Sequence, residues 1–246
     1  MLIDDVCDAQ LSEAAGRSVA DVRIGLGYTG VALDNGRCGL AYTFRHATGG
    51  GCSALKEAGS LGQSTVSDLA QLAHSRNVLM AAIGLATLNA LVPSLSTSAG
   101  DVLDLLSIGP EDTVGMVGFF GPLVEPIKKL AKSLQIVEQR EDLGPLVLPQ
   151  NAAQTELPQC QVVIVTGTAL INRTIDGVLE HCRNAREVAI LGPSTPLAPS
   201  VFASRGVTVL SGMQVVNSVQ ALRVISEGGG TPQLLNSMRK VSIRIG

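Results

Sequence analysis

Four short segments carry the residues whose chemistry is most suggestive. Thr166-Gly167-Thr168, Gly192-Pro193-Ser194-Thr195-Pro196, Gly118-Phe119-Phe120-Gly121 and Ser211-Gly212 are small, hydroxylated and rich in glycine. Hydroxyls and free main-chain N–H groups donate hydrogen bonds to anionic or carbonyl oxygens, and glycine lets a backbone come close to a ligand. The same composition also serves ordinary turns between strands and helices. Glu138 stands 20 residues after Gly118, where an acid in dinucleotide-binding folds accepts hydrogen bonds from ribose hydroxyls. The glycines Gly115, Gly118 and Gly121 are spaced G-x-x-G-x-x-G rather than G-x-G-x-x-G, so the nucleotide signal is weak. Asn172 and Thr174 precede an apolar helical pattern (Ile175, Val178, Leu179, Cys182) and serve either as its N-cap or as ligand donors.

Histidines number three. His74 lies in an apolar helical stretch and His181 near a helix end, both structural positions. His46 follows Arg45 and precedes Gly49-Gly50-Gly51-Cys52-Ser53, so Arg45 and His46 are candidates to approach a ligand from the first half of the chain. Cys38, His46 and Cys52 offer soft-metal ligands by type, but their spacing fits no zinc pattern. A Cys52 nucleophile with His46 as base needs a contact that sequence does not reveal. The chain has no Gly-x-Ser-x-Gly elbow, Walker A loop or His-Glu-x-x-His.

The elements that position these segments follow from periodicity. Strand-like runs at 113–119, 133–139, 161–167, 187–192 and 207–212 alternate with helical patterns at 122–133, 174–182 and 218–226 and a short segment at 199–204. This alternation predicts right-handed crossovers and a parallel sheet, with ligands beyond the carboxyl ends of its strands. Before it, residues 1–15 have helical spacing, and 19–44 read as an antiparallel meander with an Asn35-Gly36 turn whose two positions favour positive φ. Ser67 and Asp68 are candidate caps of a following helix. Residues 78–92 form the most apolar run; at 15 residues it is shorter than the ~20 a bilayer span needs and reads as a buried helix. Residues 93–100 read as a linker. Two domains are expected, 1–98 and 99–246, in an α/β chain.

Composition narrows the function classes. The 246 residues are 46% hydrophobic, 16% charged and 2% aromatic, with a net charge of −3. Neither half is basic and base-stacking aromatics are scarce, which argues against nucleic acid and anionic membrane as partners. Five cysteines without a Cys-x-x-Cys pair, and acids at the start where a signal peptide carries bases, point to a reduced, cytoplasmic protein. Low charge with high aliphatic content also fits a homo-oligomer.

The segments MVGFFGPLV (116–124), TGTALINRTID (166–176), LGPSTPLAP (191–199) and SEGGGT (226–231), with GLGYTGVAL (25–33) and GLAYTF (39–44), resemble the prokaryotic family described as "putative heavy-metal chelation", over nearly the whole chain. The resemblance implies a Rossmann-like second domain joined to a smaller α+β domain similar to the amino-terminal domain of enolases, with a ligand cleft between them. Thr166, Gly167, Thr168, Asn172, Thr174, Asp176, Ser194 and Thr195 fall on its motif positions, and Arg173 is larger than the residue expected there. The family carries no established activity and no fixed ligand motif. A bare divalent ion wants carboxylates, imidazoles or thiolates, which are sparse here. The expectation is therefore a small-ligand-binding protein that takes a metal chelate or its anionic organic ligand. The alternative is an enzyme using S-adenosylmethionine or NAD, with Glu138 on the ribose.

Overall fold

The computed structural model describes residues 1–47, 54–94, 100–139 and 147–245. Seven strands form one sheet in the order β10-β9-β8-β7-β4-β5-β6: β4 (Thr113–Val117), β5 (Ser133–Glu138), β6 (Val147–Pro149), β7 (Val162–Thr166), β8 (Glu187–Leu191), β9 (Val209–Val215) and β10 (Met238–Arg244). The first six are parallel, and β10 closes one edge antiparallel to β9. The five expected parallel strands are present. Two more, β6 and β10, form the edges of the sheet. Chain order reverses between β4 and its neighbour β7, the switch point beyond which doubly wound sheets bind ligands. Strands β7 and β8 are apolar throughout except at Thr166 and Glu187, as burial on both faces requires.

The first half contributes α1 (Leu2–Leu11), a meander of β1 (Val19–Ile24), β2 (Tyr28–Leu33) and β3 (Cys38–Tyr42), then α2 (Val66–Gln71) and α3 (Val78–Leu91). Among the described residues, no helix is long and apolar enough to cross a membrane. The turn at Asn35-Gly36 differs from the expected two-residue hairpin. Only Gly36 has positive φ (81°), and the Leu33 N–H bonds the Arg37 carbonyl, so three residues make the loop. Helix α2 is capped by Thr65, which accepts from the Asp68 N–H, rather than by Ser67 or Asp68.

The two halves interlock. Helix α9 (Ser218–Ser226) follows β9 but packs on the small meander, where Ile225 and Leu222 press against Gly30. Helix α3 covers the other face: a Cβ on Gly39 would stand 2.1 Å from the Ala86 carbonyl oxygen. Tyr28 and Thr231 share a hydroxyl–hydroxyl bond of 2.7 Å between the halves. One apolar cluster runs through both, from Leu2, Ile83 and Leu88 to Val163, Ile190 and Phe202.

The amino-terminal edge of the large sheet is held by ions. Asp112 accepts from Arg186 at 2.8 and 2.5 Å and from the Gly109 N–H at 2.6 Å. Buried Glu187 accepts from Thr208 and Arg244, both at 2.7 Å. The Arg186 hydrogen bonds hold the Asp112 carboxyl below its ordinary range. A carboxyl depressed in the folded state stabilises above its unfolded pKa, about 4, and that contribution disappears as pH falls through the lower folded value. Because Arg186 is half exposed, Asp112→Asn should cost about 1–2 kcal/mol near pH 7, or roughly 3–6 °C in Tm. The gap from wild type should close below about pH 4 in melts from pH 7 to pH 3; a gap that stays constant with pH would refute this role.

Candidate functional site

The carboxyl ends of β4 and β7 lie side by side at this switch point. After β4 the chain turns at Gly118, whose φ of 89° favours glycine and whose N–H bonds the Val137 carbonyl. A Cβ at Gly118 would lie 2.9 Å from the Thr166 side chain, so the tips of β4 and β7 touch. Thr166 and Thr168 pair their hydroxyls at 3.0 Å, and the Thr168 N–H donates to Thr166 Oγ1 at 3.3 Å. One hydroxyl of such a pair keeps its proton free to donate outward. Both threonines are half-buried.

Helix α5 (Gly121–Leu130) starts at this edge with no side-chain cap, and the Phe120 N–H meets only the Met116 thioether at 3.5 Å. Pro122 has no N–H and the Leu123 N–H bonds the Phe120 carbonyl at 2.9 Å, so the Gly121 N–H, with the positive end of the helix dipole behind it, is what this start offers an anion. Phe119 is 41% exposed. Its N–H donates to Glu138 at 3.0 Å, and the other Glu138 oxygen accepts from Gln139 N–H at 2.6 Å. The acid is thus folded against its own turn.

The β8 loop sits next along the row. A Cβ on Gly167 would stand 2.6 Å from Thr195 Oγ1 and 2.8 Å from the Thr195 nitrogen. Ser194 and Thr195 are buried, at 1% and 2% exposure. The Ser194 hydroxyl accepts from the Tyr42 N–H at 2.9 Å, which fastens this loop to β3. The structure thus brings Gly118, Thr166, Gly167, Thr168 and Thr195 together, while Ser194 is engaged in joining the halves.

Asn172 and Thr174 lie a turn further on, before α7 (Ile175–His181). Asn172 Oδ1 accepts from the Thr174 N–H at 3.3 Å and hydroxyl at 2.8 Å, so the amide oxygen and the hydroxyl proton are spent on each other. Thr174 holds the N-cap position without a capping bond from its side chain. Arg173 between them takes a positive φ of 63° and donates to the His74 carbonyl at 3.2 Å, a link to the first half rather than an intrusion into the crevice. Asp176 accepts from the Leu2 N–H at 2.9 Å.

Arg45 and His46 are exposed in a short turn just past β3, where Arg45 Nε donates to His46 Nε2 at 3.3 Å. Cys52 and the glycines beside it fall outside the described residues. Cys38 is buried in β3, apart from the exposed His46, and burial pushes its thiol up to about 12. Cys7, Cys160 and Cys182 are likewise buried, with thiols pushed up to about 12, 11 and 12. All four are protonated at neutral pH. Among the described residues, no three His, Cys, Asp or Glu side chains are grouped to hold a metal ion. Their side chains therefore do not fit a directly ligated cation.

Two residues escaped the sequence reading. Arg37 and Asn89 line a cavity of about 60 Å³ at the seam between the halves, beside Thr195. Asn89 was detectable in principle as an amide inside the apolar run 78–92.

The comparisons agree with this architecture. The DUF364 family, described as putative heavy-metal chelation, matches residues 101–244, and the DUF4213 family, with the same description, matches residues 7–92. The chain is similar to uncharacterized protein MJ0500 of Methanocaldococcus jannaschii, 21% identical over 182 residues that cover 71% of this chain and 70% of that one. A DUF364-family protein of unknown function from Pyrococcus horikoshii has a similar structure, with a TM-score of 0.86 at 21% identity and full coverage of both chains. Another from Desulfitobacterium hafniense DCB-2 has a TM-score of 0.78 at 24% identity, covering 98% of each chain.

Proposed function

The chain belongs to the DUF364 family, and from that premise we propose that it binds a metal as an anionic chelate, or the chelate's organic ligand, at the carboxyl edge of the large sheet. The observation that carries this reading is the juxtaposition of the uncapped start of α5 with the Thr166–Thr168 hydroxyl pair across the β4/β7 crevice. Those groups donate hydrogen bonds, and the Glu138 carboxylate beside them is held back on the Phe119 and Gln139 N–H groups. They suit the outer oxygens of a carboxylate-bearing chelate. The burial of the four described cysteines and the lack of any grouped ligand set among the described residues support a chelate over a bare soft cation.

Titration calorimetry with nickel(II) citrate, free citrate and free nickel(II) tests this reading. Saturable binding of the chelate or of citrate is expected, weakened about tenfold in Thr168→Ala, since a tenfold loss corresponds to about 1.4 kcal/mol, the scale of one hydrogen bond. Binding of free nickel(II) alone, or an unchanged affinity in the variant, would overturn it.

A second reading, an enzyme with a nucleotide-type cofactor, draws on the reversal of strand order at β4 and β7. The attachment of Glu138 to the Phe119 and Gln139 N–H groups weighs against it, because the ribose-binding acid is engaged elsewhere. A rise in Tm with S-adenosylmethionine or NAD, and none with nickel citrate, would favour this reading instead.

A further inference from the structure

Five of the eight large apolar side chains exposed among the described residues lie around one helix, α9. Val216 and Val219, 61% and 71% exposed, stand at its start. Leu26, 62% exposed, stands at its end, where a Cβ on Gly228 would meet it at 3.2 Å. Exposed Ile24 precedes Gly25, which abuts the Ile225 carbonyl of the same helix. The Val216 N–H bonds the Ser237 carbonyl at 2.9 Å, which brings the turn carrying exposed Leu235 to the helix start. Single exposed aliphatic side chains are ordinary, but a group of them along one element marks a contact surface.

The order of residues along α9 says what that surface meets. Ala221, Leu222, Val224 and Ile225 form its buried side. The 3.6-residue repeat puts Val219, Arg223, Ser226 and Glu227 on the opposite side, where all four are exposed. From one end to the other the stripe is apolar at Val219, cationic at Arg223, anionic at Glu227 and apolar again at Leu26. Arg223 and Glu227 make no ion pair with each other or with another described residue. Glu227 also holds the C-cap position, where the negative end of the helix dipole disfavours an anion, so a cation brought beside it is stabilising.

Such a stripe is complementary to itself. With two α9 helices antiparallel about a two-fold axis passing between Arg223 and Glu227, each Arg223 faces Glu227 of the second copy. Val219 lies four residues, or about 6 Å, before Arg223, so it falls about 6 Å past Glu227 of the second copy, toward Leu26. A two-fold contact needs this property, that each residue meets a partner which meets it in return.

We infer that this face joins two copies of the chain in a symmetric dimer, with the two α9 helices antiparallel at its centre. The charge pairs set the register, and the aliphatic side chains at both ends exclude water from it. No residue of this face belongs to the site proposed for the chelate, so the inference stands apart from that reading.

Sedimentation equilibrium from about 1 to 100 μM tests it, since association follows mass action. Wild type should reach the mass of two 25.4 kDa chains. Val219→Asp should weaken association at least tenfold by placing a charge in the apolar contact. Arg223→Glu and Glu227→Arg should each do the same, because each sets like charges against one another twice across the axis. Mixed in equal amounts, these two single variants should associate with each other, and the double variant should dimerise as wild type does. All three positions are exposed, so the monomers should keep the wild-type circular dichroism spectrum. A wild type that stays monomeric over this range, a dimer that survives Val219→Asp and both single charge reversals, or mixed variants that fail to associate would overturn the inference.

Discussion

Replacing Gly39 with alanine should lower stability by about 3 kcal/mol or more and Tm by roughly 6–12 °C. The added Cβ would lie 2.1 Å from the Ala86 carbonyl oxygen, 2.2 Å from the Ala90 nitrogen and 2.6 Å from the Asn89 carbonyl carbon. All three are main-chain atoms of α3, so no rotamer change relieves the collision; β3 and α3 must separate. That separation also moves Asn89 and Ala90, which line the seam cavity. Gly177→Ala is the matched control. It lies within α7 with nothing inside 4 Å of its added Cβ, and should be neutral or stabilising by up to about 1 kcal/mol. If the two variants melted within 2 °C of each other, the close approach of β3 to α3 would be refuted.

A comparable effect on binding is expected from Gly167→Ala. Its Cβ would collide with Thr195 at Oγ1 and the backbone nitrogen, 2.6 and 2.8 Å away, and come within 3.1 Å of the Ser194 carbonyl carbon. The tip of β7 would be wedged away from the β8 loop, which is fixed on its far side by the Tyr42–Ser194 hydrogen bond. Overpacking of this kind costs about 1–3 kcal/mol, so Tm should fall by roughly 3–10 °C. Because Thr166 and Thr168 flank the wedge, affinity for nickel citrate should fall at least tenfold, more than in Thr168→Ala. Calorimetry on the folded variant checks this; undiminished affinity would mean that the β7 tip does not touch the ligand.

Much of this fold is legible in the sequence, and the exceptions have physical causes. The alternation from Thr113 onward announces the parallel sheet, since two-sided burial demands short apolar runs. Strand β6 is three residues long and ends in Pro149, too short for a periodic signal. Strand β10 hides behind Arg239 and Lys240, exposed on the sheet edge and followed by the buried Val241 and Ser242. The pattern of α9 says which of its faces is buried but not that the surface beneath belongs to the other half of the chain.

The site divides in the same way. The residue types at Thr166, Thr168, Ser194 and Thr195 mark the strand ends correctly as rich in hydroxyls. Which hydroxyls remain available depends on contacts between distant segments: Ser194 is engaged by Tyr42, whereas Thr195 is buried without a partner. Arg37 reads locally as the residue after a turn. It becomes a lining group only because α3 carries Asn89 beside it, a neighbour 52 positions away in sequence.

The central claim is that metal reaches this protein wrapped in an anionic ligand and is held by donors at the sheet edge. Anomalous scattering at the nickel edge, from crystals grown with nickel(II) citrate, tests it most directly. The account expects one metal peak beyond the carboxyl ends of β4 and β7, with citrate oxygens within hydrogen-bonding distance of Thr168 and the start of α5 and no protein atom bonded to nickel. A nickel ion coordinated directly by histidine, cysteine or carboxylate side chains would contradict it.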